Sequence, residues 1–258
     1  MRGHAGTDDE TTGVLSLPLR TPAKRLGVAV VEALVDLIVS GEFEPGDTLP
    51  PELPLSRQFG VSRTVLRESV KRLEEKGLVT VSQGRGTVIQ PTRSWNMLDR
   101  VVLESLIAHD RSLGVLDELT VVRAQLESAM ARETATMRSR SELDALRDAL
   151  EEMRTSLADT PRFQAADVTF HETVMALSRN RLAESIARSL FERARESSRY
   201  SIDVPAAIHE QTLREHEQIF DAIAAGSGDE AASSMLSHIV DAWTRRRPAD
   251  HRGTKSAR

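Results

Sequence analysis

The chain has 258 residues, no cysteine, 3% aromatics and a formal net charge of −5. Without cysteine there can be no disulfide and no thiolate metal site, and no apolar run approaches the roughly 18–20 residues needed to span a bilayer. With 28% charged and 40% hydrophobic residues, the composition predicts an ordinary cytoplasmic globular protein of about two domains, with cores of Leu, Val, Ile, Ala and Met.

Residues 1–20, opening MRGHAGTDDETTG, are small and polar. They predict a disordered segment, not a secretory signal. From Leu26 to Ser40, Val30, Leu34, Leu37 and Ile38 recur at spacings of three and four, a helix that Gly41 stops. The turn-rich EFEPGDTLP leads to a short helix from Pro51 to Phe59, broken by Gly60. A second helix runs from Ser62 to Lys76, with Gly77 past its end. Leu78–Val81 and Thr87–Ile89 are β-rich and flank SQGRG, which predicts a hairpin with a glycine-bearing tip. Pro91 closes a first unit, drawn at 21–92. The stretch 93–247 reads as helices at about 95–109, 114–138, 141–158, 162–178, 181–201, 205–225 and 228–247, and 248–258 as a loose basic tail. The expected fold class is mainly α: a helix–turn–helix with a small β-hairpin, then an all-α antiparallel bundle.

The helix in GVSRTVLRESVKRLEEKGL is strongly cationic. Ser62 can cap it, and Val61 with Leu66 makes a hydrophobic staple. Leu66, Val70 and Leu73 form an inward stripe, while Arg63, Arg67 and Lys71 share the opposite side. Arg63 and Thr64 occupy the first turn. From Val61 to Arg93 seven cations face three glutamates, a local +4 in an acidic chain. Such a field favours phosphate, and arginine can bridge guanine O6 and N7. Pairs such as Glu68–Arg72 on a solvated face explain the helix equally well when it is taken alone. The short helix before it and the hairpin after it turn the reading towards nucleic acid.

Further on, ADVTFHETV places Asp167 and His171 one turn apart, beside the apolar arc of Phe163, Phe170, Val174 and Leu177. His216 lies on the stripe of Ile219, Phe220 and Ile223, and His238 near that of Met235, Ile239 and Ala242. Polar groups turned inward cost several kcal/mol unless they find partners. One divalent ion would satisfy all four. Three nitrogens and one oxygen suit zinc first, with nickel or manganese as alternatives. Each residue taken singly reads as a hydrogen-bonded core group. His4, His109, His209 and His251 lack this setting. Arg123 sits beside the stripe of Leu119, Val122, Leu126 and Met130, with Glu127 four residues on as a plain intrahelical partner. Asn180 reads as a helix cap.

The run LPPELPLSRQFGVSRTVLRESVKRLEEKGLVTVSQGRGTVI resembles the winged helix of GntR-type bacterial transcription regulators, over about residues 24–91. Residues from about 95 to 245 are similar to the all-helical effector domain of the FadR-type (FCD) branch. The resemblance implies a winged helix-turn-helix regulator, a repressor and not an enzyme. Its DNA contacts would come from Ser62, Arg63, Thr64, Arg67 and Lys71, with Gln83, Gly84 and Arg85 at a wing tip in the minor groove. It further implies a divalent metal on Asp167, His171, His216 and His238, and an anionic effector held by Arg123. Trp95, Asn96, Leu98 and Asp99 resemble the entry segment of members that sense sugar acids, which makes the expected effector a small carboxylate of the aldonate kind. A pseudo-palindromic operator implies a homodimer; no membrane partner is expected. One departure is Leu53, where the family carries arginine; it removes a customary contact, and Arg57 lies one turn on. Two other readings stay open. The metal could be purely structural. It could also activate water in a hydrolase, although no His-Glu-x-x-His motif occurs.

Overall fold

The computed structural model describes residues 23–196 and 206–247; the segment expected to be disordered and the basic tail lie outside the described residues. The N-terminal head comprises α1 (Ala23–Val39), α2 (Glu52–Gln58), α3 (Arg63–Glu75) and the antiparallel strands β1 (Val79–Ser82) and β2 (Gly86–Ile89). Val79 pairs with Ile89 and Ser82 with Gly86, so the hairpin tip carries Gln83, Gly84 and Arg85. Helix α3 starts where expected because the Ser62 hydroxyl accepts from Val65 N–H at 3.2 Å. Its stripe of Leu66, Val70 and Leu73 is buried with Val30, Leu34 and Ile38 of α1 and with Leu78 and Ile89 of the hairpin.

Gly77 joins α3 to β1 at φ +75°, and a Cβ there would stand 2.0 Å from the Ser94 carbonyl oxygen. The position therefore needs glycine twice, for its dihedral and for the close approach of the linker. Gly77→Ala should destabilise the head by about 3 kcal/mol or more in urea unfolding. Gly84→Ala, at φ +79° in open space, should cost only the backbone strain, about 1–2 kcal/mol.

A 3₁₀ turn at Thr92–Ser94 leads into seven helices: α4 (Arg100–His109), α5 (Gly114–Met137), α6 (Arg140–Thr155), α7 (Thr160–Leu177), α8 (Arg181–Glu196), α9 (Ala206–Ala225) and α10 (Gly228–Arg246). The first of them begins five residues later than the sequence predicts. The Asp99 carboxylate accepts from Val101 and Val102 N–H and fixes the cap there, while Asn96 closes a turn onto Leu98 N–H. The end of the helix expected at 181–201 falls at 197–201, outside the described residues, as does Pro205. Asn180 caps α8 through its side-chain oxygen and Ala183 N–H. The bundle core gathers Leu146, Leu150 and Met153 of α6, Phe163, Phe170 and Val174 of α7, Ile219 and Ile223 of α9, and Met235 and Ile239 of α10.

Helix α5 differs from its predicted stripe. Leu119 and Met130 are buried, but Val122 is 45% exposed, and Arg123, Glu127 and Thr134 lie inside with Leu116, Ala124 and Ala131. The buried face thus runs through the charged pair, not beside it.

Helix α4 joins the two units. Val102 belongs to the head's core, while Leu103 and Ile107 pack with Leu116, Leu119, Leu190 and Trp243 of the bundle. Lys76 meets Asp99 at 2.5 Å, and the Ser105 hydroxyl donates to Asp36 of α1 at 2.5 Å. The Trp95 indole donates to the Gln90 carbonyl and packs against the head's core, the role of a packing residue. No described helix is long and apolar enough to cross a membrane.

Candidate functional site

Asp167 and His171 from α7, His216 from α9 and His238 from α10 converge in the bundle. All four are buried, and one donor atom from each lies within 4.8 Å of the others. His171 Nε2 stands 3.3 Å from His238 Nε2, and His216 Nε2 stands 3.4 Å from Asp167 Oδ1. Those are separations expected between neighbouring ligands of one ion with bonds of roughly 2.1 Å.

The outer ring nitrogens fix the tautomers. His171 Nδ1 meets Glu127 Oε2 at 2.6 Å, His238 Nδ1 meets Glu215 Oε2 at 2.8 Å, and His216 Nδ1 meets the Thr212 carbonyl at 2.8 Å. A carboxylate and a carbonyl only accept, so every Nδ1 must donate. In the neutral rings all three Nε2 lone pairs then point inward at one another and at a carboxylate. His216 Nε2 is buried with no hydrogen-bond partner. A proton is a poor remedy, since burial pushes the His216 imidazole well below its ordinary pKa and lowers that of His238 despite its bond to Glu215. A divalent cation satisfies the whole set, and the Asp/His₃ donors fit one.

Both carboxylates behind the histidines are themselves held by arginine. Glu127 accepts from Arg123 Nε at 2.5 Å, and Glu215 takes both Arg245 amino groups at 2.8 Å. Burial would raise Glu127, but Arg123 and His171 outweigh it and hold the carboxyl at about 2; His238 and Arg245 do the same for Glu215, also to about 2 against burial. Arg123 is 6% exposed, and its guanidinium carbon lies 3.7 Å from the centre of the Phe191 ring. Outside the cluster, a groove of about 440 Å³ between α9 and α10 reaches Glu215 and His238 and is lined by Gln211, Arg214, Gln218 and Ser237 among others.

These shifts set a pH dependence for the metal-free protein. An unfolded imidazole titrates near 6.5. Below that pH the unfolded chain takes up protons that folded His216 and His238 refuse. Their contribution is complete above pH 6.5 and is lost on acidification, at up to about 1.4 kcal/mol per pH unit for each ring. Glu127 and Glu215 add a further loss between about pH 4.5 and 2. Urea unfolding should give a flat stability from pH 8 to 7 and a fall from pH 6.5 to 5; a flat line throughout contradicts this account.

Sequence reading missed Glu127 as a histidine partner and missed Glu215 and Arg245 altogether. It set His209 aside as lacking an inward setting; His209 is in fact 3% exposed, stacked on Phe163 and bonded to the Leu157 carbonyl, though outside the cluster as expected. On the head, Ser62, Arg63, Thr64, Arg67, Lys71, Gln83, Gly84 and Arg85 are all exposed, along α3 and at the hairpin tip. Leu53 is 46% exposed at the start of α2.

Two family models match the chain: "Bacterial regulatory proteins, gntR family" over residues 26–89 and "FCD domain" over 118–241. The galactonate operon transcriptional repressor of Escherichia coli K12 is 34% identical over 218 residues, covering 84% of this chain and 94% of that protein. The regulator LutR of Bacillus subtilis is 31% identical, over 80% of this chain and 94% of its own length. The repressor NanR of Cronobacter sakazakii is 29% identical, over 84% and 83%. Among solved structures, Lar, which controls expression of the Listeria monocytogenes agr system, has the same fold, with a TM-score of 0.53 and 20% identity over 89% of this chain and 98% of that one.

Proposed function

The chain belongs to the GntR family of bacterial transcription regulators and carries an FCD domain, and on that premise we propose that it is a repressor whose grip on operator DNA is set by a small sugar acid bound beside a divalent metal, zinc first among candidates. The observation that carries this reading is the inward convergence of three bare imidazole nitrogens and one carboxylate in a bundle tied directly to the head.

On the DNA side, Arg63, Thr64, Arg67 and Lys71, with Ser62 at the cap, present the exposed face of α3 to the major groove, and Gln83, Gly84 and Arg85 reach the minor groove. A pseudo-palindromic site requires two heads, hence a homodimer, to be checked by light scattering. On the effector side, Asp167, His171, His216 and His238 would hold the ion. When bound, it offers positive charge and free coordination positions to a carboxylate and its neighbouring hydroxyl. An incoming carboxylate that reaches Arg123 competes with Glu127 for the guanidinium, and Arg123 rests on Phe191 of α8. Amide and hydroxyl side chains of the α9–α10 groove suit a polyhydroxy chain. The similarity to a galactonate operon repressor supports an aldonate. For control, effector binding must favour one placement of the heads over another.

The test is fluorescence anisotropy on a duplex selected by the protein from a randomised pool, with zinc present, titrated with galactonate and other aldonates. A drop in affinity that chelator abolishes is expected. Unchanged affinity with every acid removes the sugar-acid reading. A chelator that lowers the bundle's melting temperature while acid binding, measured below that temperature, stays intact assigns the metal a purely structural role.

A further inference from the structure

A carboxylate is out of place on a surface meant for phosphate, yet Glu52 stands at the start of α2 beside the arginines of α3. Both Glu52 oxygens lie 2.8 Å from Arg67 Nε, and Glu52 Oε2 lies 3.7 Å from Arg63 Nη2. The side chains keep 39% and 61% of their surface for Glu52 and Arg67, so the pair contributes little to stability. The hydrogen bond from Arg67 lowers the Glu52 carboxyl below its ordinary range, and it is ionised at neutral pH. A guanidinium presents donors on a rigid planar fork. With Nε turned to Glu52, the two amino groups at the far end remain for another acceptor. A guanine offers O6 and N7 to such a fork.

We propose that Glu52 is a positioning residue of the DNA-reading face: it fixes Arg67 by the Nε edge, aims the amino edge at a base, and so sets how sharply the protein tells one sequence from another. Its charge simultaneously repels the backbone and weakens contact with DNA of any sequence. This rests on reading α3 as the helix that enters the major groove.

The experiment uses the full chain, E52Q and R67A, each checked for fold by circular dichroism. Each protein selects from a pool of randomised duplexes, and affinities are measured for the wild-type winner and for a random-sequence duplex. E52Q should bind the random duplex about 3-fold tighter. Its preference for the winner over random DNA should fall about tenfold, with relaxed selection at one base position of each half-site. If E52Q gains equally on both duplexes and selects the same sequence, the residue acts by charge alone and the proposal is overturned. It is overturned too if nothing changes. The underlying reading has its own control. R67A should weaken both duplexes; an R67A that binds both as wild type does removes α3 from the interface, and the proposal with it.

Discussion

His216→Ala should abolish the thermal shift expected when zinc is added to the wild-type protein. The expectation follows from linkage. An ion that binds only the folded state, at about 100-fold over its Kd, adds about 2.7 kcal/mol. For a unit of this size that is a rise in Tm of roughly 5–10 °C. His216 Nε2 is buried with no hydrogen-bond partner, so its loss removes a candidate ligand along with the Nδ1 bond to the Thr212 carbonyl. The variant's metal-free Tm should fall by less than the zinc shift it forfeits, because a cavity replaces an unsatisfied polar group. His209→Ala is the control: a histidine equally buried, but stacked on Phe163 away from the cluster, whose loss should leave the zinc shift in place. Differential scanning fluorimetry with zinc and with chelator reads both. A zinc shift surviving in His216→Ala would disprove the assignment.

Glu127→Ala should be the most damaging single change in the bundle. Glu127 is fully buried and holds Arg123 and His171 at once. Removing it takes the Nε acceptor from a buried guanidinium and the Nδ1 acceptor from a buried imidazole. Breaking a buried pair in this way costs about 3–5 kcal/mol, or roughly 10 °C in Tm. Metal affinity should drop by about 10–100-fold as His171 loses the group that orients it. The double change Arg123→Met with Glu127→Leu should be no less stable than the single one, since an apolar pair replaces a buried ion pair without leaving one charge uncompensated by the other, yet it should bind zinc as weakly. Urea unfolding and calorimetric titration separate the two effects. A double variant clearly less stable than Glu127→Ala would show that the two side chains are not coupled.

The candidate binding residues were more legible than the residues that hold them. Ser62, Arg63, Arg67 and Lys71 could be placed because helical period alone divides a cationic face from the stripe of Leu66, Val70 and Leu73. Asp167, His171, His216 and His238 stood out as polar groups at apolar positions. Glu215 had no such signal. It precedes a histidine on its own helix, and its task appears only when α10 brings His238 and Arg245 against it. Glu127 was read as an i+4 partner of Arg123, which is correct but half its role, because the other half arrives from α7. Glu52 pairs with Arg67 across fifteen positions and two helices. The late start of α4 reflects a competition between caps: Asp99 outbids the apolar period that begins at Trp95.

A ten-residue helix with one flank inside each core is a strut. Glu104 of α4 also meets Arg193 of α8, the helix whose Phe191 lies under Arg123. A slack tether would absorb any small slide of α8 as idle bending. This one is packed on both sides, so a slide of α8 would be expected to reach α1 and, through the shared core, α3.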